Sequence, residues 1–183
     1  MSKALPLSGL TVIELGQNVA APYGAEILGD LGADVIKIEK AEGDDARRWV
    51  PPAWGATSAM FLCFNRNKRS VVVDLRNAAA RAALKTLILE RADVVIQNLR
   101  PGAVAELGLD AETLRGLKPS LIYCTIGAFG GAGPLKNLPG YDPLMQAFAG
   151  SYARAGAVVT LVYLPGLIVI WLGPETKGRP LPE

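Results

Sequence analysis

The segment Leu10–Lys40, LTVIELGQNVAAPYGAEILGDLGADVIKIEK, decides the fold. Thr11–Leu15 is a short β-type run between Gly9 and Gly16. From Ala21 to Leu31, the apolar Ala21, Ala25, Leu28 and Leu31 share one helical face, with Glu26 and Asp30 off it. Pro22 suits the first turn of that helix, where a missing N–H costs little. Gly32 suits the position just past its end. Asp34–Glu39 is a second strand. A helix between two such strands favours a parallel pair with a right-handed crossover.

Outward from this unit, strand and helix keep alternating. Lys40–Ser58 reads as a long loop rich in charge, Pro and Gly, and such length inside a compact domain points to function. Ser70–Leu75 is a third strand, Asn77–Arg91 a helix, Asp93–Ile96 a fourth strand and Leu121–Thr125 a fifth. Asp110 is placed to cap a short helix with Glu112 in its first turn. Gly127–Gly140 reads as loop and Tyr141–Ala149 as helix. The class is therefore α/β with a mostly parallel sheet. Ligands in such sheets sit at the carboxyl ends of the strands. Here those ends are 16–21, 40–45, 74–76, 98–102 and 127–133.

Composition narrows the chemistry. The 183 residues suit one domain or one with an appendage, and half are hydrophobic, enough for a sizeable core. Nineteen basic against 17 acidic side chains leave a net charge of +2, so no field for nucleic acid exists. Arg66, Lys68 and Arg69 cluster without aromatic residues between them and read as a solvated loop. Two distant cysteines support neither a disulfide framework nor a metal site, and point to a reducing, cytoplasmic setting. The N-terminus lacks the apolar core of a signal peptide. Histidine is absent, which removes imidazole catalysis and leaves carboxylates, Lys, Tyr, Cys and backbone groups.

Each local motif admits two readings. The turn GQNVAAP lacks the GxGxxG of dinucleotide binders, yet the helix N-terminus after it can hold an anion. It is otherwise a plain turn packed with small residues. Arg47 and Arg48, beside Asp44 and Asp45, either meet phosphate or form internal ion pairs. Asn98, with Arg100-Pro101-Gly102, either contacts a ligand or caps a turn. The glycines of 127–133 either admit close ligand approach or serve an irregular turn. Asp142 in GYDPLMQAFAG is either catalytic or an acid answering a helix dipole.

Taken together, LSGLTVIELGQNVAAPYGAEILGDLGADVIKIEKAEGDDAR, NRNKRSVVVDL, ADVVIQNLRPGAVAELGL and GYDPLMQAFAG resemble the class III CoA-transferase family from about Leu7 to Gly150. The resemblance implies a Rossmann-like domain in an interlocked homodimer. It implies CoA transfer from an acyl-CoA to a carboxylic acid through an aspartyl thioester, with no metal and no permanently bound cofactor. By the same resemblance, Val19 and Ala20 begin the CoA contacts and Lys40 stands near phosphate in place of a common arginine, as a single-point partner. Val73, Asp74, Leu75 and Arg76 line the adenine and phosphate side, and Asn98, Leu99 and Arg100 form the contact after the fourth strand. Glu106 stands where many members carry an arginine for phosphate, and a carboxylate there repels phosphate. Asp142 matches an acidic position that supports catalysis.

Downstream the pattern departs from the family. The nucleophilic aspartate of the family lies in a later Gly-Asp dipeptide, and this chain has no Asp after Asp142. The expectation is a truncated large-domain segment, residues 1–150, that is inactive alone or serves as a non-catalytic CoA-binding module. Residues 151–183 form a divergent hydrophobic tail, with a junction near 150–156 that marks a fused or truncated reading frame. GLIVIWLGPETKGRPLPE resembles the last membrane helix of sugar-porter type transporters and its exit. Residues 157–172 are almost wholly apolar, near the lower length for a span and interrupted by Pro165-Gly166. They are either a membrane-associating segment or an apolar helix or strand packed on the domain.

Overall fold

A computed structural model describes residues 4–140 of the chain. In order it contains β1 (Thr11–Glu14), α1 (Ala20–Asp30), β2 (Asp34–Glu39), a 3-10 helix (Asp45–Arg48), β3 (Ala53–Trp54), β4 (Thr57–Ser58) and α2 (Ala59–Asn65). Then come β5 (Lys68–Val72), α3 (Ala78–Arg91), β6 (Val94–Gln97), α4 (Ala103–Glu106), α5 (Ala111–Leu117) and β7 (Ile122–Thr125). Five strands form one sheet in the order β5-β2-β1-β6-β7, and every pairing in it is parallel. The chain lays down β1, β2 and β5 in one direction, then returns to the far side of β1 for β6. That reversal puts a topological switch point between β1 and β6, where such sheets bind ligands.

The strand residues alternate between two cores, as a period of two requires. Ile13, Ile36, Ile38 and Val95 pack with Leu84 and Ile88 of α3 and Leu114 of α5 on one face. Val12, Val35 and Ile96 pack with Ala21 and Ala25 of α1 on the other. Parallel strands covered on both faces bury nearly their whole length, which is why β1 and β2 read as apolar runs. Ile88 is wholly buried, and its truncation to Ala would cost about 2–5 kcal/mol.

Caps end the helices where the side chains allow. Asn77 Oδ1 accepts the N–H groups of Ala79 and Ala80, and Asp110 Oδ1 accepts that of Thr113, the cap expected from the sequence. Gly32 sits just past α1 with φ +103°, where a Cβ would be strained.

Three expectations need correction. The segment 40–58 is not structureless: it holds the 3-10 helix and a two-stranded hairpin. Ser58 closes it on itself, donating to the Ala46 carbonyl and accepting the Phe61 N–H, a tertiary clasp that periodicity cannot report. Lys68 and Arg69 lie in β5, not in a solvated loop. The Lys68 ammonium is buried, pairing with Glu14 at 2.8 Å and donating to the carbonyls of Pro22 and Phe64. Arg66 pairs with Glu26 and Asp30, and Arg69 with Asp34. Glu26, expected off the packed face of α1, is itself buried because Arg66 reaches it. Helices α2 and α4 carry too few residues to show a period and were missed.

The expected helix 141–149, Asp142, the boundary at Gly150 and the tail 151–183 lie outside the described residues. Among the described residues no helix is long and apolar enough to cross a membrane.

Candidate functional site at the carboxyl edge of the sheet

At the carboxyl ends of β1, β2, β5 and β6 lies a cleft of about 290 Å³. Lys40, Val73, Asp74, Leu75, Arg76 and Leu99, all singled out from the sequence, line it together. Leu15, Gln17, Ile38, Glu39, Ala41 and Glu42 complete the walls. Parallel strands bring these segments together because their carboxyl ends share one edge.

The positive charges around the cleft differ in availability. Lys40 Nζ lies 2.9 Å from Asp45 Oδ1, and Arg48 reaches the same carboxylate at 2.6 Å. Arg100 forms a bidentate pair with Glu106, at 3.1 and 2.7 Å, outside the cleft lining. Glu106 thus neutralises an arginine of its own chain, beyond any repulsion of phosphate. Among the described residues the Arg76 guanidinium has no partner, while its own N–H donates to Asp74 Oδ1 at 2.9 Å. Arg81 steadies this corner from α3, donating to the carbonyls of Leu75 and Arg76 at 2.7 and 2.9 Å. Periodicity alone carries no sign of this role for Arg81.

Glu39, at the end of β2, is filled. Its Oε2 accepts from the Asp44 N–H and Arg47 Nε, and its Oε1 from Arg47 Nη2 and Ser70 Oγ, all within 2.8 Å. Burial works against its charge, but Arg47, Ser70 and the Asp44 N–H outweigh burial and hold the carboxyl at about 2. A carboxylate with four donors has no lone pair left for a ribose hydroxyl, the task of the matching acid in dinucleotide folds. Arg47 also stacks 3.8 Å from the Phe61 ring centroid, so it serves structure rather than phosphate.

The turn at the end of β1 is held through its backbone. Gln17 N–H donates to Asn98 Oδ1 at 2.8 Å, and Asn98 Nδ2 donates back to the Gln17 carbonyl at 2.9 Å. Asn98 therefore stitches β1 to β6 across the switch point and does not line the cleft. Gly16 is required here: a Cβ would lie 2.5 Å from that of Ala21. Val19 is the N-cap of α1 and supplies no side-chain acceptor, so first-turn N–H groups stay open beside Ala20. Val19 and Ala20 border the turn but not the cleft. The glycine loop 127–133 is likewise absent from the lining.

Beneath the turn lies a set of buried charges that sequence reasoning passed over. Lys37 Nζ pairs with Glu14 Oε1 and with Asp44 Oδ2, each at 2.8 Å, and donates to the Gly16 carbonyl at 3.0 Å. Glu14, Lys37 and Asp44 are all at most 2% exposed, so their charges are compensated by one another, by Lys68 beside Glu14 and by backbone groups rather than by water. Burial also pushes the Lys68 ammonium down, against the opposing pull of Glu14.

The sequence profile of CoA-transferase family III matches residues 7–172. The match runs past Gly150 into the apolar tail, and nothing in the comparisons supports the transporter likeness drawn for that tail. The succinate–glutarate CoA-transferase of Agrobacterium fabrum is 43% identical over 158 residues, 82% of this chain and 39% of that protein. The acetyl-CoA:oxalate CoA-transferase of Acetobacter aceti is 40% identical over 152 residues, 82% of this chain and 39% of that one. Among solved structures, a CAIB/BAIF family protein from Brucella suis superposes with a TM-score of 0.74 at 43% identity, over 81% of this chain and 40% of that one. The chain spans about two fifths of the length of these relatives.

Proposed function

We propose, from the premise that this chain belongs to CoA-transferase family III, that its cleft receives the nucleotide end of coenzyme A or an acyl-CoA. The observation that carries this is the Arg76 guanidinium, unpartnered among the described residues, in a cleft walled by Val73, Leu75 and Leu99. Apolar walls suit a purine ring and a free guanidinium suits phosphate. The open N–H groups at the start of α1 add a second anion contact near Val19 and Ala20. Lys40 joins them when it exchanges Asp45 for phosphate. Acyl-CoA is a substrate in this reading, not a resident cofactor.

The reaction class is CoA transfer from an acyl-CoA to a carboxylic acid, as the names of the relatives suggest. Residues 143–183 contain no aspartate to attack the thioester, so residues 1–183 assayed by themselves are expected to bind CoA but turn over little. Asp142 takes at most a supporting part, and pairing of two copies accompanies activity. The compartment that goes with this reading is the cytoplasm, proposed from two cysteines distant in sequence.

Titration calorimetry with CoA tests the binding claim. Saturable binding is expected, and no heat at millimolar CoA would refute it. An assay with acyl-CoA donors and dicarboxylate acceptors tests the second claim, since turnover at the rate of a full-length relative would overturn it. A second reading, a membrane-associated fragment, rests on the apolar run 157–172. Recovery of monodisperse protein wholly in the soluble fraction counts against that reading.

A further inference from the structure

The geometry points to Asp44, held by Lys37, as a positioning residue that sets the shape of the β1–α1 turn without touching ligand. The inference rests on the reading of that turn as the rim of a CoA site.

Asn18 is the pivot. It has φ +64°, a left-handed conformation that Asn tolerates and that turns the chain from β1 into α1. Its N–H points at the Asp44 carboxylate, 3.0 Å from Oδ1 and 3.2 Å from Oδ2. The same Oδ1 accepts the Ala46 N–H at 2.9 Å and so begins the 3-10 helix. Lys37 closes the arrangement, with Asp44 Oδ2 at 2.8 Å on one side and the Gly16 carbonyl at 3.0 Å on the other. One ammonium thus grips both the turn and the acid that holds the turn. Glu14 compensates Lys37 from below, and Lys68 compensates Glu14, each at 2.8 Å.

A purely structural ion cluster would serve stability wherever it lay. This one ends on the backbone of the turn that presents the N-terminus of α1, and Asn98 clamps the adjacent peptide from β6. Asp44 therefore has two separable roles, a local cap for Ala46 and a long-range hold on Asn18. Serine is a competent N-cap but too short to reach Asn18 and Lys37 as well. Asp44→Ser keeps the first role and removes the second.

The test compares wild type, Asp44→Ser and Lys37→Met by amide hydrogen exchange, and each by CoA titration. Asp44→Ser is expected to speed exchange in a peptide covering 16–19 about tenfold or more beyond any rise in α3 and β6, which follow global stability. It is expected to weaken CoA about tenfold. Asp44→Asn, which keeps an acceptor at Oδ1, recovers part of both. Unchanged exchange at 16–19, or a uniform rise across the protein, would overturn the inference. If wild type fails to bind CoA, the site reading falls, while the exchange data still decide whether Asp44 holds the turn. Lys37→Met, if folded, repeats the local pattern; if it does not fold, Asp44→Ser alone decides.

Discussion

Lys37 Nζ lies 2.8 Å from Glu14 Oε1, and the two residues are register partners on neighbouring parallel strands. Both are wholly enclosed on the α1 face of the sheet, where Val12 and Val35 are their apolar neighbours along the strands. A buried ion pair is weak evidence for net stability, but breaking one exposes an uncompensated charge. The cluster of Glu14, Lys37, Asp44 and Lys68 is neutral as it stands, so any single removal unbalances it.

Lys37→Met is accordingly expected to cost about 3–5 kcal/mol. Glu14→Gln leaves an excess positive charge and costs a comparable amount. The double variant restores neutrality and should cost less than the sum of the singles. Urea melts of the four proteins measure this, and strict additivity would contradict the coupling.

Glu39 makes stability depend on acid. Its folded value, about 2, lies below the ordinary 4.5, so its contribution is complete above that ordinary value and is lost as pH falls toward 2. With Arg47 partly exposed, the contribution is about 2 kcal/mol after allowance for solvent screening. Thermal melts across that range should show wild type losing more stability than Glu39→Gln, with the two curves converging in acid. Parallel curves would rule out the assignment.

Among the described residues Arg76 is the cation of the cleft lining without a side-chain partner, and Arg76→Ala should weaken CoA about tenfold, with little change in melting temperature. The salt dependence of binding should fall with it. Calorimetry at two ionic strengths reads both effects, and an unaltered affinity would place the phosphate elsewhere.

Glu106 occupies Arg100, with both side chains 61% exposed. Glu106→Gln should change stability by no more than about 0.5 kcal/mol, since such pairs are worth little in water. It should also tighten CoA about threefold by releasing the guanidinium and removing a negative charge. Weaker binding in this variant would mean that the pair itself shapes the site.

Much of the fold was legible because its signals are local. Asp34–Glu39 was read with its full bounds, and the cap at Asp110 from the residue types that follow it. The carboxyl-edge rule puts Lys40, 74–76 and Leu99 near one another, and the family resemblance adds Val73; all of them line the cleft. β5 began two residues earlier than read, at Lys68, because a lysine in front of Val-Val-Val signals solvent until its partner is known.

Alternation of strand-type and helix-type segments determined the α/β class, the parallel pairing and the edge that carries the candidate site, since these signals depend on neighbours along the chain. Which charges are free was decided only by the tertiary structure. Lys40, Arg47 and Arg100 looked as available as Arg76, yet Asp45, Glu39 and Glu106 occupy them. The buried cluster under the first turn joins residues 23 positions apart in Glu14 and Lys37, and 26 in Asn18 and Asp44. Periodicity carries no information across such separations. Strand order and loop closure bring those groups within 3 Å, and at that distance in a dry interior pairing is the condition for their being charged at all.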